Sequence, residues 1–79
     1  MKTYHLPMKP HRKYAAHIII LPDGITLHNA IVVVEDGMVI DGYTFSEEQA
    51  HTFWLGGTIV VRRSEGGVLR AYKDGYMLP

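Results

Sequence analysis

The sequence predicts a small, mostly β domain: an antiparallel sandwich or partly open barrel of about five strands with one short helix. Three observations support this fold class. The chain has 79 residues, of which 47% are hydrophobic, and this is enough for one small core. Two β-branched runs flank Asp36-Gly37, the strongest short-range signal of a β-hairpin. There is no cysteine, so neither a disulfide nor a thiolate metal site can reinforce the core.

The first segment, residues 1–13, is basic, contains two prolines and shows no strand or helix periodicity. We expect an extended basic arm over 1–13 and a single β domain over 14–79. Tyr4 and Tyr14 accompany the cations of the arm, and cations beside aromatic rings are typical of single-stranded nucleic-acid binding. The formal net charge of zero argues against a dedicated nucleic-acid protein and leaves this function as an alternative. The cations of the arm are Lys2, Lys9, Arg12 and Lys13.

The first two strands are predicted over residues 14–21 and 25–35, where apolar and β-branched side chains dominate. Pro22-Asp23-Gly24 between them is a turn, since proline fixes φ, aspartate bonds to its own backbone and glycine accepts a positive φ. The apolar alternation changes phase at Asn29, which indicates a β-bulge there.

The central hairpin turns at Asp36-Gly37, and a third strand returns over residues 38–43. A two-residue turn places Ile31, Val33, Met38 and Ile40 on one face of this ribbon. It places Val32, Val34, Val39 and Tyr43 on the other, together with Asp41. Since a sheet with one wet face alternates apolar and polar residues, a ribbon that is apolar on both faces must be covered on both.

A short helix is predicted from Ser46 to about Thr52, because Ser46-Glu47-Glu48-Gln49 has the pattern of a capping box. The adjacent glutamates would lie in the first helical turn, where the helix dipole favours them. Gly56-Gly57 would end the helix. Phe53, Trp54 and Leu55 form the largest apolar cluster outside the predicted strands.

The last hairpin pairs residues 58–63 with residues 68–73 around a Ser-Glu-Gly-Gly loop. A two-residue turn would place Arg62 opposite Leu69 and Val61 opposite Arg70. We favour this register, because a three-residue loop would place Arg62 opposite Arg70, and directly opposed like charges repel.

No residue is predicted to be catalytic, and no cofactor is expected. The five histidines lack the local spacing of metal-ligand pairs, and the glycine pairs lack a phosphate-binding motif. A small-molecule or metal site remains an alternative, assembled in space from His28, Asp41, Tyr43 and Trp54.

Residues 23–40 resemble the start of amidohydrolase-superfamily enzymes, in which a small β domain precedes the catalytic barrel. Asn29-Ala30 and the run from Val34 to Val39 carry the resemblance. The family's metal-binding His-Xaa-His motif is absent, and 79 residues cannot hold a (β/α)₈ barrel. The resemblance therefore implies the small β domain without the catalytic parts, and no functional residue of the family is transferred.

The sequence thus favours a non-catalytic structural or protein-interaction module that forms a homodimer. The apolar runs are far shorter than the roughly 20 residues that a membrane-spanning helix needs, and we expect a cytoplasmic protein. The expected interface consists of the second face of the central ribbon and the aromatic cluster. Its residues are Val32, Val34, Val39, Tyr43, Phe53 and Trp54.

Overall fold

The computed structural model of the protein describes residues 11–47 and 49–79. Over these ranges the fold is mostly β, as predicted, and its described residues include a single short 3₁₀ turn at Glu65–Gly67. β1 begins inside the segment that we expected to be an arm, and residues 1–10 lie outside the described ranges. The strands are β1 (His11–Ile20), β2 (Thr26–Glu35), β3 (Met38–Thr44), β4 (Thr52–Trp54), β5 (Thr58–Arg63), β6 (Leu69–Lys73) and β7 (Tyr76–Met77).

All the described strands belong to one sheet, in the order β3-β2-β1-β5-β6-β7, with β4 pairing separately with β1. The hairpin pairs β1–β2, β2–β3, β5–β6 and β6–β7 are antiparallel, whereas β1 pairs in parallel with β4 and β5. β1 therefore has β2 along one edge, and β4 followed by β5 along the other. The sheet curls until β3 contacts β6, but it is not closed by hydrogen bonds.

The main core lies on one face of the sheet, which we call the inner face. Its buried side chains come from β1, β2, β5 and β6, so the curled sheet packs against itself. Leu78 closes this core at the C-terminal side, where its N–H donates to Ala71 O at 2.8 Å. The buried residues are Tyr14, Ala16, Ile19, Ala30, Val32, Val34, Ile59, Val61 and Ala71.

The opposite or outer face of the sheet carries a second, smaller buried cluster. Ala15, Ile31 and Val33 are buried there, and Tyr43 and Phe45 pack against them. The β2 strand of the central ribbon is therefore apolar and covered on both sides, as the sequence indicates, whereas Ile40 in β3 is 51% exposed. The outer cover comes from the same chain, since these exposures are those of a single molecule.

The central turn has the predicted geometry: Asp36 and Gly37 both have positive φ, of 53° and 76°. The bulge lies in β3, however, because Val34 pairs with Val39 whereas Val33 pairs with Asp41. The extra residue between these pairs reverses the side-chain alternation beyond it.

Tyr43 and Asp41 consequently lie on the outer face, and their predicted placement beside Val32 is wrong. Tyr43 pairs with Ile31 and packs against the outer cluster. The other predicted neighbours, Val34 and Val39, do belong to the inner core.

Asn29 does mark a change of face, but not through a bulge in the β1–β2 ladder. Its φ is 51°, and Leu27 before it and Ala30 after it both pack against the inner core although they are three residues apart. The register of β1 with β2 is the same on both sides of Asn29, since Ala16 pairs with Ala30 and Ile18 with His28. The alternation of side chains between the inner and outer faces therefore reverses at the same level in both strands.

The predicted helix from Ser46 to Thr52 is wrong over the described residues, which form bends and a turn before β4 begins. Glu48, one residue of the capping box, lies outside the described residues. The Gln49 side-chain amide donates to Glu47 O at 3.1 Å and does not cap a helix. A helix of under two turns is unfavourable by itself, so strand pairing with β1 determines this segment.

The β5–β6 register also differs from the prediction, because Arg62 lies opposite Arg70 and not opposite Leu69. In the predicted register Arg70 would face Val61, which is buried in the inner core. The observed register instead pairs Val61 with Ala71, which is buried as well. Burying an unpaired guanidinium costs several kcal/mol, whereas cross-strand repulsion costs at most about 1 kcal/mol.

The two opposed guanidinium groups are directed to different partners. The Arg62 Cζ atom lies 5.7 Å from the centroid of the Tyr72 ring. Arg70 Nη1 donates to Gly37 O at 2.9 Å. Each guanidinium thus has a favourable partner of its own, which offsets the repulsion in this register.

Candidate interaction surface

The expected interface divides into buried and accessible residues. Val32 and Val34 are buried in the inner core of the single chain, so their assignment to an interface is corrected. Val39 also packs against that core and is partly buried. Phe53 and Trp54 remain accessible, since each exposes about half of its surface.

Three consecutive accessible apolar residues lie at and directly after β4. Phe53, Trp54 and Leu55, which we call the β4 ridge, are 55%, 54% and 37% exposed. Phe53 pairs with Tyr14 and Trp54 with Ala15, so the two aromatic rings lie on opposite faces of the sheet. The ridge therefore offers apolar surface on both sides of one strand.

Ring contacts within the chain hold the β4 ridge in place. The Phe53 ring stacks on Tyr14 with centroids 5.6 Å apart. The Trp54 ring meets His17 edge-on at 5.0 Å and Phe45 edge-on at 6.0 Å. Because these rings are already ordered, a partner that covers them loses little side-chain entropy.

The backbone of β4 also has an edge without a strand neighbour among the described residues, since its partner there is β1 alone. The segment from Gln49 to Thr58 contains no Asp, Glu, Lys or Arg. An exposed apolar edge strand without charges is a template for pairing with another strand.

The alternative ligand site is not assembled. His28 lies in β2, where it pairs with Ile18 of β1, whereas Asp41 lies in β3 opposite Val33. Val33 is five residues beyond His28 along β2, so His28 and Asp41 are about 16 Å apart along the strand direction, at roughly 3.3 Å per residue. Tyr43 and Trp54 do share the outer face, at the level of Ile31.

The described histidines do not converge on a metal site either. No group of three or more His, Cys, Asp or Glu side chains capable of holding a metal ion occurs within residues 11–47 and 49–79. His17 contacts Trp54, and His11, His28 and His51 are exposed. His5 lies outside the described residues.

Comparison with known proteins gives no relative from which a function could be transferred. Over the described residues the structure has no helix with the length and apolar character needed to cross a bilayer. The resemblance to the small β domain of amidohydrolases stays a prediction. No family model, no curated protein and no solved structure matches this chain.

Proposed function

We propose that this protein is a non-catalytic interaction module, located in the cytoplasm, that forms a homodimer by joining the β4 ridges of two copies. The observation that carries the proposal is the pair of ordered, half-exposed rings of Phe53 and Trp54 on an unpaired strand edge. Aromatic residues of this kind dominate the energetics of protein interfaces.

A second copy is the occupant that the charge pattern favours. A two-fold axis brings the same surface of both subunits together, so any charge at its centre would face itself. The uncharged segment from Gln49 to Thr58 avoids this repulsion, and it offers a charged partner no complementary group.

The geometry suits edge-to-edge pairing. Antiparallel pairing of two β4 strands would extend the sheet across the dimer, with the Trp54 rings on one face and the Phe53 rings on the other. The contact is small, so we expect a dissociation constant on the order of 10 µM.

Fluorescence on dilution tests the dimer directly. Trp54 is the single tryptophan of the chain, so tryptophan emission, excited at about 295 nm to avoid the five tyrosines, reports the environment of the ridge alone. We expect the emission maximum to shift to longer wavelength as the protein is diluted from about 200 µM to about 1 µM. Sedimentation velocity over the same range should show the change from dimer to monomer.

Two matched variants locate the contact. Leu55→Asp places like charges on both sides of the two-fold axis and leaves the ring contacts of Phe53 and Trp54 in place. It should weaken dimerisation by about tenfold or more. Tyr76→Ser removes a ring that is 78% exposed on β7 and should leave dimerisation unchanged. A monomer at about 200 µM, or equal loss in both variants, would contradict the proposal.

A further inference from the structure

A cavity of about 540 Å³ opens beside the β2–β3 turn. Val34 and Met77 are its apolar lining residues, and two arginines, Arg12 and Arg70, line it as well. This volume is within the range of small-molecule sites, which combine apolar walls with a few polar groups that fix orientation.

Arg70 is held in position by the turn that it contacts. Its Nη1 donates to Gly37 O at 2.9 Å, and a Cβ atom on residue 37 would lie only 2.8 Å from that nitrogen. Glycine at this position therefore permits the close approach. One N–H of the guanidinium is engaged by this bond, and the group has five, so donors remain for a ligand.

Arg12 provides the second guanidinium from a different strand. It lies in β1 opposite Val34, which is part of the cavity wall, and its side chain is exposed. Among the residues that the structure describes, neither Arg12 nor Arg70 has an ion-pair partner.

Asp36 and Pro79 also line the cavity, and they limit what the site can accept. Asp36 contributes a carboxylate from the turn, and the Pro79 carbonyl oxygen accepts a hydrogen bond from the Tyr14 hydroxyl at 2.8 Å. A ligand must therefore reach the arginines with a compact anionic head while its body lies on the half-exposed Met77.

We infer that this cavity binds a small organic oxyanion, a carboxylate or phosphate ester with an apolar body. Guanidinium groups recognise both kinds of oxyanion through paired, charge-assisted hydrogen bonds. The inference does not depend on the dimer, because none of these residues belongs to the β4 ridge.

Titration with matched probes tests the site. Phenyl phosphate and benzoate carry the two anionic heads on the same apolar ring, inorganic phosphate lacks the ring, and benzamide lacks the charge. We expect saturable binding of at least one aromatic anion by calorimetry, with amide NMR shifts centred on Gly37. Inorganic phosphate and benzamide should bind at least about tenfold more weakly. Comparing the two aromatic anions identifies the preferred head group.

Variants separate specific recognition from general attraction. Arg12→Gln and Arg70→Gln should each weaken binding of the preferred anion by about tenfold or more, because each removes a charged donor. Arg62→Gln is the matched control, since Arg62 lies over Tyr72 and does not line the cavity. Arg12 is exposed, so its variant tests the site even if Arg70→Gln disturbs the fold. Absence of saturable binding by every probe, equal binding of benzamide, or an equal effect of Arg62→Gln would overturn the inference.

Discussion

Replacing Ile31 with alanine is expected to destabilise the protein by about 2–5 kcal/mol, as much as the same change at Ile59. Ile31 lies on the outer face and Ile59 in the inner core, and both are fully buried. A domain of 79 residues has a total stability of about 4–12 kcal/mol, so either loss is a large part of it. Urea unfolding at a fixed protein concentration, followed by Trp54 fluorescence, measures the effect.

Ile25→Ala is the matched control for both substitutions. Ile25 is 54% exposed, so its truncation should change the free energy of unfolding by no more than about 0.5 kcal/mol. If Ile31→Ala lowers the free energy of unfolding no more than Ile25→Ala does, then Tyr43 and Phe45 do not cover Ile31 and the outer face is open to water.

Burial of both faces within one chain changes which surface is available to a partner. The sequence shows that the central ribbon is apolar on both sides, but it cannot show what covers the second side. The cover depends on Tyr43, which reaches the outer face only because of the bulge before it. Val32 and Val34 are buried in the inner core, so the apolar surface open to a partner includes the β4 ridge and not these valines.

Structure that depends on neighbouring residues follows the sequence closely. The Asp36-Gly37 turn has the two positive φ angles that its residues favour. At the preceding turn the Asp23 side chain accepts the Ile25 N–H at 3.1 Å, as the Pro-Asp-Gly pattern predicts. A second Asp-Gly turn at Asp74-Gly75 joins β6 to β7, and the same signal could have identified this hairpin as well.

Structure that depends on distant residues does not follow from local signals. The capping box from Ser46 to Gln49 favours a helix by about 1 kcal/mol, which pairing of β4 with β1 outweighs. The parallel pairing of β1 with β5 has no local signal at all, because the strands are separated by an entire hairpin and β4. The β5–β6 register was decided by which side chains face the inner core, and this requires knowledge of the sheet.

The same distinction separates the two candidate sites. Phe53 and Trp54 were identified from the sequence because they are adjacent and strongly apolar. The arginine-lined cavity was missed because Arg12 and Arg70 are far apart in the chain and line one cavity only when the sheet curls and β6 reaches the β2–β3 turn. The residues next to Arg12 and Arg70 in the sequence form no binding motif, so neither arginine could be assigned to a site from the sequence.

Gly37→Ala is expected to destabilise the protein more than Gly75→Ala, although both glycines follow an aspartate in a β-hairpin turn. Their φ angles are +76° and +84°, so a Cβ atom costs about 1–2 kcal/mol of backbone strain at either position. At Gly75 the new Cβ meets nothing within 4 Å, whereas at Gly37 it lies 2.8 Å from Arg70 Nη1 and displaces its hydrogen bond. The loss of that bond adds about 0.5–1.5 kcal/mol.

A double-mutant cycle isolates the contribution of Arg70 to this difference. In an Arg70→Gln background the hydrogen bond to Gly37 O is already lost, so Gly37→Ala should cost only the backbone strain that Gly75→Ala costs. The six proteins are the wild type, Gly37→Ala and Gly75→Ala, each with Arg70 and with Arg70→Gln. Their free energies of unfolding in urea give the coupling free energy between residues 37 and 70. A coupling near zero would mean that Arg70 is not held by the turn, and the cavity would then lack the fixed guanidinium on which anion recognition depends. A coupling of about 1 kcal/mol would instead show that the hydrogen bond to Gly37 holds the Arg70 guanidinium in place at the cavity before a ligand binds.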